Sequence, residues 1–167
     1  DLIGPDLRSV PDGTDGEIVV RGPQVFAGYL DDDGSADSWL ADGWFRTGDI
    51  GNRSPDSGAV AIRGRLKQLI ISGGLTVYPR EVELVIETQP GVRAAAVVGA
   101  PSARWGEEVT AYVEADASFD TDQLMRALRT ELAAYKRPKR CIVVDALPRN
   151  HMGKILRTEL PTLTSHQ

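Results

Sequence analysis

From Leu66 to Leu160 the hydrophobic period changes in a fixed order, and that order constrains the fold more than any single residue does. Gln68-Leu69-Ile70-Ile71-Ser72 has the apolar, β-branched character of a strand. From Pro79 the period lengthens: Val82, Val85 and Ile86 share one side of a helix. Pro79 suits its first turn, and Gln89-Pro90-Gly91 stops it. Two strands follow, Arg93 to Gly99 and Glu108 to Glu114, with Pro101 to Gly106 as the turn region. Asp120 with Gln123 reads as an N-cap pair. Leu124, Leu128 and Leu132 then repeat every four residues, predicting a helix over Thr121 to Ala134. Cys141-Ile142-Val143-Val144 is the last strand, and Ile155 to Leu160 a last helical turn or two.

The order strand, helix, strand, strand, helix, strand predicts an α+β unit of about 95 residues, enough to bury one core. Residues 1–65 differ. Asp1 to Asp15 reads as loop, Gly16 to Gly22 as a glycine-bounded strand, and Gly58 to Arg63 as another. Little there closes a core, so the expected organisation is the β-rich tail of a larger domain at 1–65, a complete small domain at 66–160, and a tail at 161–167.

Composition narrows the function. The hydrophobic share is 41% and the charged share 26%, ordinary for a globular protein and unlike collagen, coiled-coil or disulfide frameworks. No apolar run approaches the ~20 residues of a membrane helix. A net charge of −5 argues against a nucleic-acid partner. One cysteine, Cys141, makes no intrachain bridge, which points to the reducing cytoplasm. That cysteine and two histidines, His151 and His166, cannot build a usual zinc cluster, so no metal site is expected. Asp31-Asp32-Asp33 lacks the spacing of a calcium loop and reads as a solvated turn.

Four segments carry chemistry. In Trp44-Phe45-Arg46-Thr47-Gly48-Asp49 a carboxylate beside glycine can accept two hydrogen bonds from a vicinal diol, although Thr-Gly-Asp is also a common turn. In Gly64-Arg65-Leu66-Lys67 a guanidinium in a glycine-flanked bend can reach a phosphate or ribose; a surface hairpin fits equally. Ser72-Gly73-Gly74 permits close backbone approach to a ligand, or is an ordinary strand-to-helix loop. It is not a Walker loop, because the closing Gly-Lys-Ser/Thr is absent. Finally, Pro148 to Arg157 places Lys154 after a glycine on a polar loop, as a compact charge or a solvated one.

Taken together, these segments resemble one family. Gly16-Glu17 through Gly28-Tyr29 resembles the GE…GY segment of the adenylate-forming (AMP-dependent) synthetases and ligases. Arg46 to Asp49 resembles their RTGD motif, Gly64 through Glu83 their GRxKxxI…GxxxxPxEVE motif, and Leu147 through Arg157 their LPRNxxGKxxR motif. The likeness runs from about Gly16 to Leu160. It covers only the C-terminal portion of that family, and the wording is nearest to acyl- and aryl-CoA ligases.

The resemblance implies a carboxylic acid joined to AMP from ATP, then passed to the thiol of CoA. It implies Lys154 as the adenylation lysine, Asp49 on the ribose hydroxyls, and Arg65 on ribose and phosphate. It implies Lys67 as the hinge of a swivelling domain, and Ser72, Gly73 and Gly74 beside the pantetheine arm. The basic run Lys136-Arg137-Pro138-Lys139-Arg140 either meets CoA phosphates or is a solvated face. The acyl pocket, the phosphate loop and the Mg2+ ligands are expected in an N-terminal domain outside this chain, which alone should be inactive. Two alternatives stay open: transfer to a carrier-protein phosphopantetheine, and a non-catalytic nucleotide- or CoA-binding module.

Overall fold

The computed structural model describes residues 1–26, 28 and 38–162. It divides into two units, Asp1–Lys67 and Gln68–Gln167. Tyr29, the Asp31-Asp32-Asp33 cluster and residues 163–167 of the expected tail lie outside the described residues.

The first unit is a four-stranded antiparallel sheet in the order β1-β2-β3-β4: β1 (Leu2–Ile3), β2 (Asp15–Val20), β3 (Phe45–Arg53) and β4 (Val60–Arg65). Leu2, Ile3, Val19 and Ile50 are its buried apolar residues, and no α-helix covers them among the described residues of this unit. Phe45 packs with Phe26 and Trp39, ring centroids 5.0 and 5.1 Å away. Trp44 lies under the Arg21 guanidinium at 4.8 Å. Two strands here are not evident from the sequence. β1 is only two residues long, and β3 carries Thr47-Gly48-Asp49, which breaks the alternation a strand normally shows.

The second unit is α+β. β5 (Ile70–Ser72) and β6 (Leu75–Val77) form a hairpin, followed by α1 (Pro79–Glu87). Then come β7 (Val92–Ser102), β8 (Gly106–Ala115), α2 (Thr121–Glu131) and β9 (Arg140–Val144). The sheet runs β6-β5-β8-β7, and β9 lies parallel to β8.

Period-two alternation explains how one sheet serves two cores. Ala95, Val97, Val109, Ala111 and Val113 face Val82 and Ile86 of α1 and Leu124 and Leu128 of α2. The intervening Ala96 and Tyr112 face the other way, toward Ile142, Val144, Leu147 and Leu160. Each fully buried leucine or isoleucine contributes about 1.5–3 kcal/mol. Asp120 caps α2, its carboxylate accepting from the Asp122 and Gln123 N–H groups at 2.8 and 3.2 Å. The helix is shorter than the leucine repeat suggests, since Leu132 is already extended while its side chain stays in the core.

Candidate functional site

Asp49 and Arg65 meet in the first unit. β2 pairs Glu17 with Ile50 and Val19 with Arg46, so Thr47-Gly48-Asp49 bulges out of β3 opposite the single residue Ile18. Gly48 turns that bulge at φ 72°, a backbone state that disfavours side chains. Glu17, nearly buried, holds it from beneath. One carboxylate oxygen accepts from Arg46 Nε and Nη2 at 2.9 and 2.6 Å; the other accepts the Gly48 N–H at 3.2 Å. The Thr47 hydroxyl donates to the Ile18 carbonyl at 2.8 Å and accepts the Asp49 N–H at 3.1 Å. Asp49 is thereby presented across the strand pair to Arg65, Oδ1 to Nε 3.0 Å. A partly exposed pair of this kind adds at most about 1 kcal/mol of stability. What the arrangement provides is a fixed carboxylate and a planar cation side by side. Glu17 stands in the Gly16-Glu17 wording of the sequence, but its hold on the bulge needs the sheet register.

Lys67 is exposed and lies in a 3-10 turn, Leu66–Gln68, at the end of the first unit.

Ser72, Gly73 and Gly74 lie in the second unit, where the sequence suggested a loop and the structure has a tight hairpin. Ser72 pairs with Leu75, leaving Gly73 and Gly74 at φ 58° and 80° as the two-residue turn. Gly73 donates its N–H to the Trp105 carbonyl at 2.8 Å, and a Cβ there would sit 3.0 Å from the Trp105 ring. The Arg104 guanidinium and the Lys139 ammonium lie 4.7 and 5.7 Å from the same ring. Arg104 and Trp105 were missed in the sequence; an aromatic residue in an otherwise polar turn was the signal.

The basic run is mostly committed. Lys136 reaches both carboxylate oxygens of Glu81, at 2.6 and 2.8 Å, and that bond raises its pKa above the ordinary lysine value. Arg137 donates to the Leu132 and Arg129 carbonyls, and Arg140 lies 3.6 Å from Glu108. Lys139 Nζ has no carboxylate or carbonyl partner among the described residues.

Lys154 caps a narrow loop. Asn150 accepts the Lys154 N–H on its side-chain oxygen at 2.9 Å and donates its own N–H to the Lys154 carbonyl at 2.9 Å. The Leu156 N–H reaches the Pro148 carbonyl at 2.8 Å, and Arg149 bridges to Ile155. The lysine side chain is exposed, and its Nζ has no partner among the described residues.

The turn and the loop belong to opposite ends of β8. Ser72 pairs with Gly106, at its start, whereas the Leu147 N–H bonds Glu114, near its end. Eight residues of extended strand separate these points, about 26 Å.

Cys141, largely buried in β9, has its pKa pushed up to about 11 by desolvation. At pH 8 about one thiol in a thousand is then ionised. Alkylation at that pH should run about tenfold or more slower than with free cysteine; labelling at the free-cysteine rate would contradict the buried placement. Among the described residues no three His, Cys, Asp or Glu side chains gather into a metal-binding group, and no helix is long and apolar enough to cross a membrane.

Residues 81–154 match the family model of the AMP-binding enzyme C-terminal domain. The chain is 47% identical over 161 residues to feruloyl-CoA synthase from Amycolatopsis sp, covering 95% of this chain and 33% of that protein. It is 38% identical over 168 residues to indoleacetate–CoA ligase from Aromatoleum aromaticum, covering 99% and 33%. Among solved structures, o-succinylbenzoate CoA synthetase from Bacillus subtilis, in complex with the acyl-adenylate intermediate OSB-AMP, superposes with a TM-score of 0.92. The identity there is 34%, covering 99% of this chain and 34% of that one. The chain thus spans about a third of the length of the curated relatives it matches.

Proposed function

We infer, for a chain whose residues 81–154 are an AMP-binding enzyme C-terminal domain and whose homologues are acyl- and aryl-CoA ligases, that the whole protein is an AMP-forming acid–CoA ligase. A carboxylate oxygen attacks the α-phosphorus of ATP, the bond to the β-phosphate breaks, and pyrophosphate leaves. The CoA sulfur then attacks the acyl carbon, AMP departs, and the thiol proton goes to solvent.

In this reading Asp49 accepts hydrogen bonds from the ribose hydroxyls and Arg65 supports ribose and phosphate. Lys154 meets the charge that builds on the α-phosphate, where a desolvated ammonium is most effective. Ser72, Gly73 and Gly74 leave room for pantetheine, and Arg104 and Lys139 are the cations free for CoA phosphates. The carrying observation is that the glycine turn pairs at the start of β8 whereas the lysine loop is bonded near its end, at anchor points about 26 Å apart along the strand. Groups anchored toward opposite ends of one sheet are readily presented to a single reacting centre in turn, so each half-reaction takes its own pose. The polar turn at Lys67 is the hinge between them. The acid pocket and the Mg2+ ligands belong to an N-terminal domain. A lone thiol such as Cys141 suits the reducing cytoplasm.

The test is product formation by the whole protein with ATP, CoA and a panel of aliphatic and aromatic acids. AMP, pyrophosphate and acyl-CoA should appear in equal amounts. Transfer to a holo-carrier protein instead of CoA would change the acceptor. Acid-independent ATP turnover, or ADP as product, would sink the reading.

A further inference from the structure

We propose that two carboxylates outside the lysine loop, Glu114 on β8 and Glu83 on α1, are positioning residues for Lys154. This rests on reading Lys154 as the adenylation cation. The carboxylates grip opposite stems of one loop. On the entering stem, Glu114 Oε2 accepts the Leu147 N–H at 3.0 Å and lies 3.7 Å from Arg149 Nη2. The same guanidinium donates through Nη1 to the Gly153 carbonyl at 3.2 Å, one residue before the lysine. On the leaving stem, Arg157 Nη1 donates to Glu83 Oε1 at 2.6 Å and to the Val97 carbonyl at 2.9 Å. Glu83 Oε1 also accepts the Val97 N–H at 2.9 Å.

Burial makes the second grip informative. Glu83 is 2% exposed on a helix face otherwise filled by Val82 and Ile86. A buried ion pair is weak evidence for stability, because apolar side chains of similar volume often do as well. This pair does what an apolar pair cannot: it ties the loop to α1 and β7 at one fixed position. Between the stems Asn150 fixes the backbone, accepting the Met152 and Lys154 N–H groups at 3.0 and 2.9 Å. The backbone that carries the lysine is therefore placed before any ligand arrives, and a misplacement of about 1 Å in such a group can cost 10²-fold in rate.

The first test uses the 167-residue chain and needs no activity. Amide hydrogen exchange at Met152 and Lys154 should quicken about tenfold or more in Arg149→Ala, with Ala111 and Val113 on β8 unchanged. Unchanged exchange at Met152 and Lys154 overturns the proposal. In the whole enzyme, Arg149→Ala and Glu114→Ala should lower the adenylation kcat about 10- to 100-fold, with KM for ATP within about twofold. Thiolysis of supplied acyl-adenylate should be unaffected. Glu114→Gln, which keeps an oxygen for the Leu147 N–H, should recover much of the loss. Equal loss of both half-reactions overturns the positioning role. If Lys154→Ala abolishes adenylation while Arg149→Ala and Glu114→Ala leave it intact, only the positioning role fails. If Lys154→Ala adenylates normally, the functional reading of the lysine fails, and the exchange result alone decides whether the loop is gripped.

Discussion

Lys154→Ala in the whole enzyme is expected to lower carboxylate-dependent ATP–pyrophosphate exchange by about 10²–10³, or about 3–4 kcal/mol of transition-state stabilisation. The physical reason is charge. Attack of one anion on another concentrates negative charge around the α-phosphorus, and a preorganised cation in a dry site offsets it without reorganising. Asn150 holds both the N–H and the carbonyl of Lys154, so the side chain starts from a fixed backbone position. Thiolysis of supplied acyl-adenylate should be nearly unchanged, because the proposed reading gives that step to the glycine turn rather than to the lysine. Lys154→Arg should recover little, since a broad planar fork does not replace a compact ammonium. Equal loss of both half-reactions would contradict the assigned role.

Glu83→Ala is expected to destabilise the second unit by about 3 kcal/mol. The substitution removes the acceptor of the Val97 N–H and strands the Arg157 guanidinium, three-quarters buried, without its anion. Urea denaturation of the 167-residue chain followed by circular dichroism measures the change. Replacing both partners by leucine (Glu83→Leu with Arg157→Leu) should return most of the stability, because no charge is then left buried alone. The double variant should still show fast amide exchange at Lys154, separating stability from placement. A Glu83→Ala chain within about 0.5 kcal/mol of the parent would mean the pair holds nothing.

Elements with a sustained period were legible. Val82, Val85 and Ile86 marked α1, and the leucines at 124 and 128 marked α2, because a repeated spacing sums many small preferences into one signal. Leu132 fits that spacing yet lies past the helix end, since core burial does not require a helical backbone. β6 escaped notice because three residues after two glycines carry too little pattern. β3 escaped because its bulge, Thr47-Gly48-Asp49, spoils the alternation. Asp49, Arg65 and Lys154 could be named because their motif wording resembles a family, but the pairing of Asp49 with Arg65 needed the sheet register. Glu17 and Glu83 stand inside the motif wording, but their partners could not be read from it. Glu17 meets Arg46 across 29 residues of sequence, and Glu83 meets Arg157 across 74. Only the folded chain brings such partners together.

The most direct measurement is structural: the whole enzyme captured with a non-reactive acyl-AMP mimic, and separately with the mimic and CoA. With the mimic alone, Lys154 Nζ should lie within hydrogen-bond reach of the nucleotide phosphate, about 3 Å. With CoA added, that ammonium should be withdrawn and the Gly73-Gly74 turn should stand beside the pantetheine. An ammonium remote from the phosphate in both captured states would contradict the account.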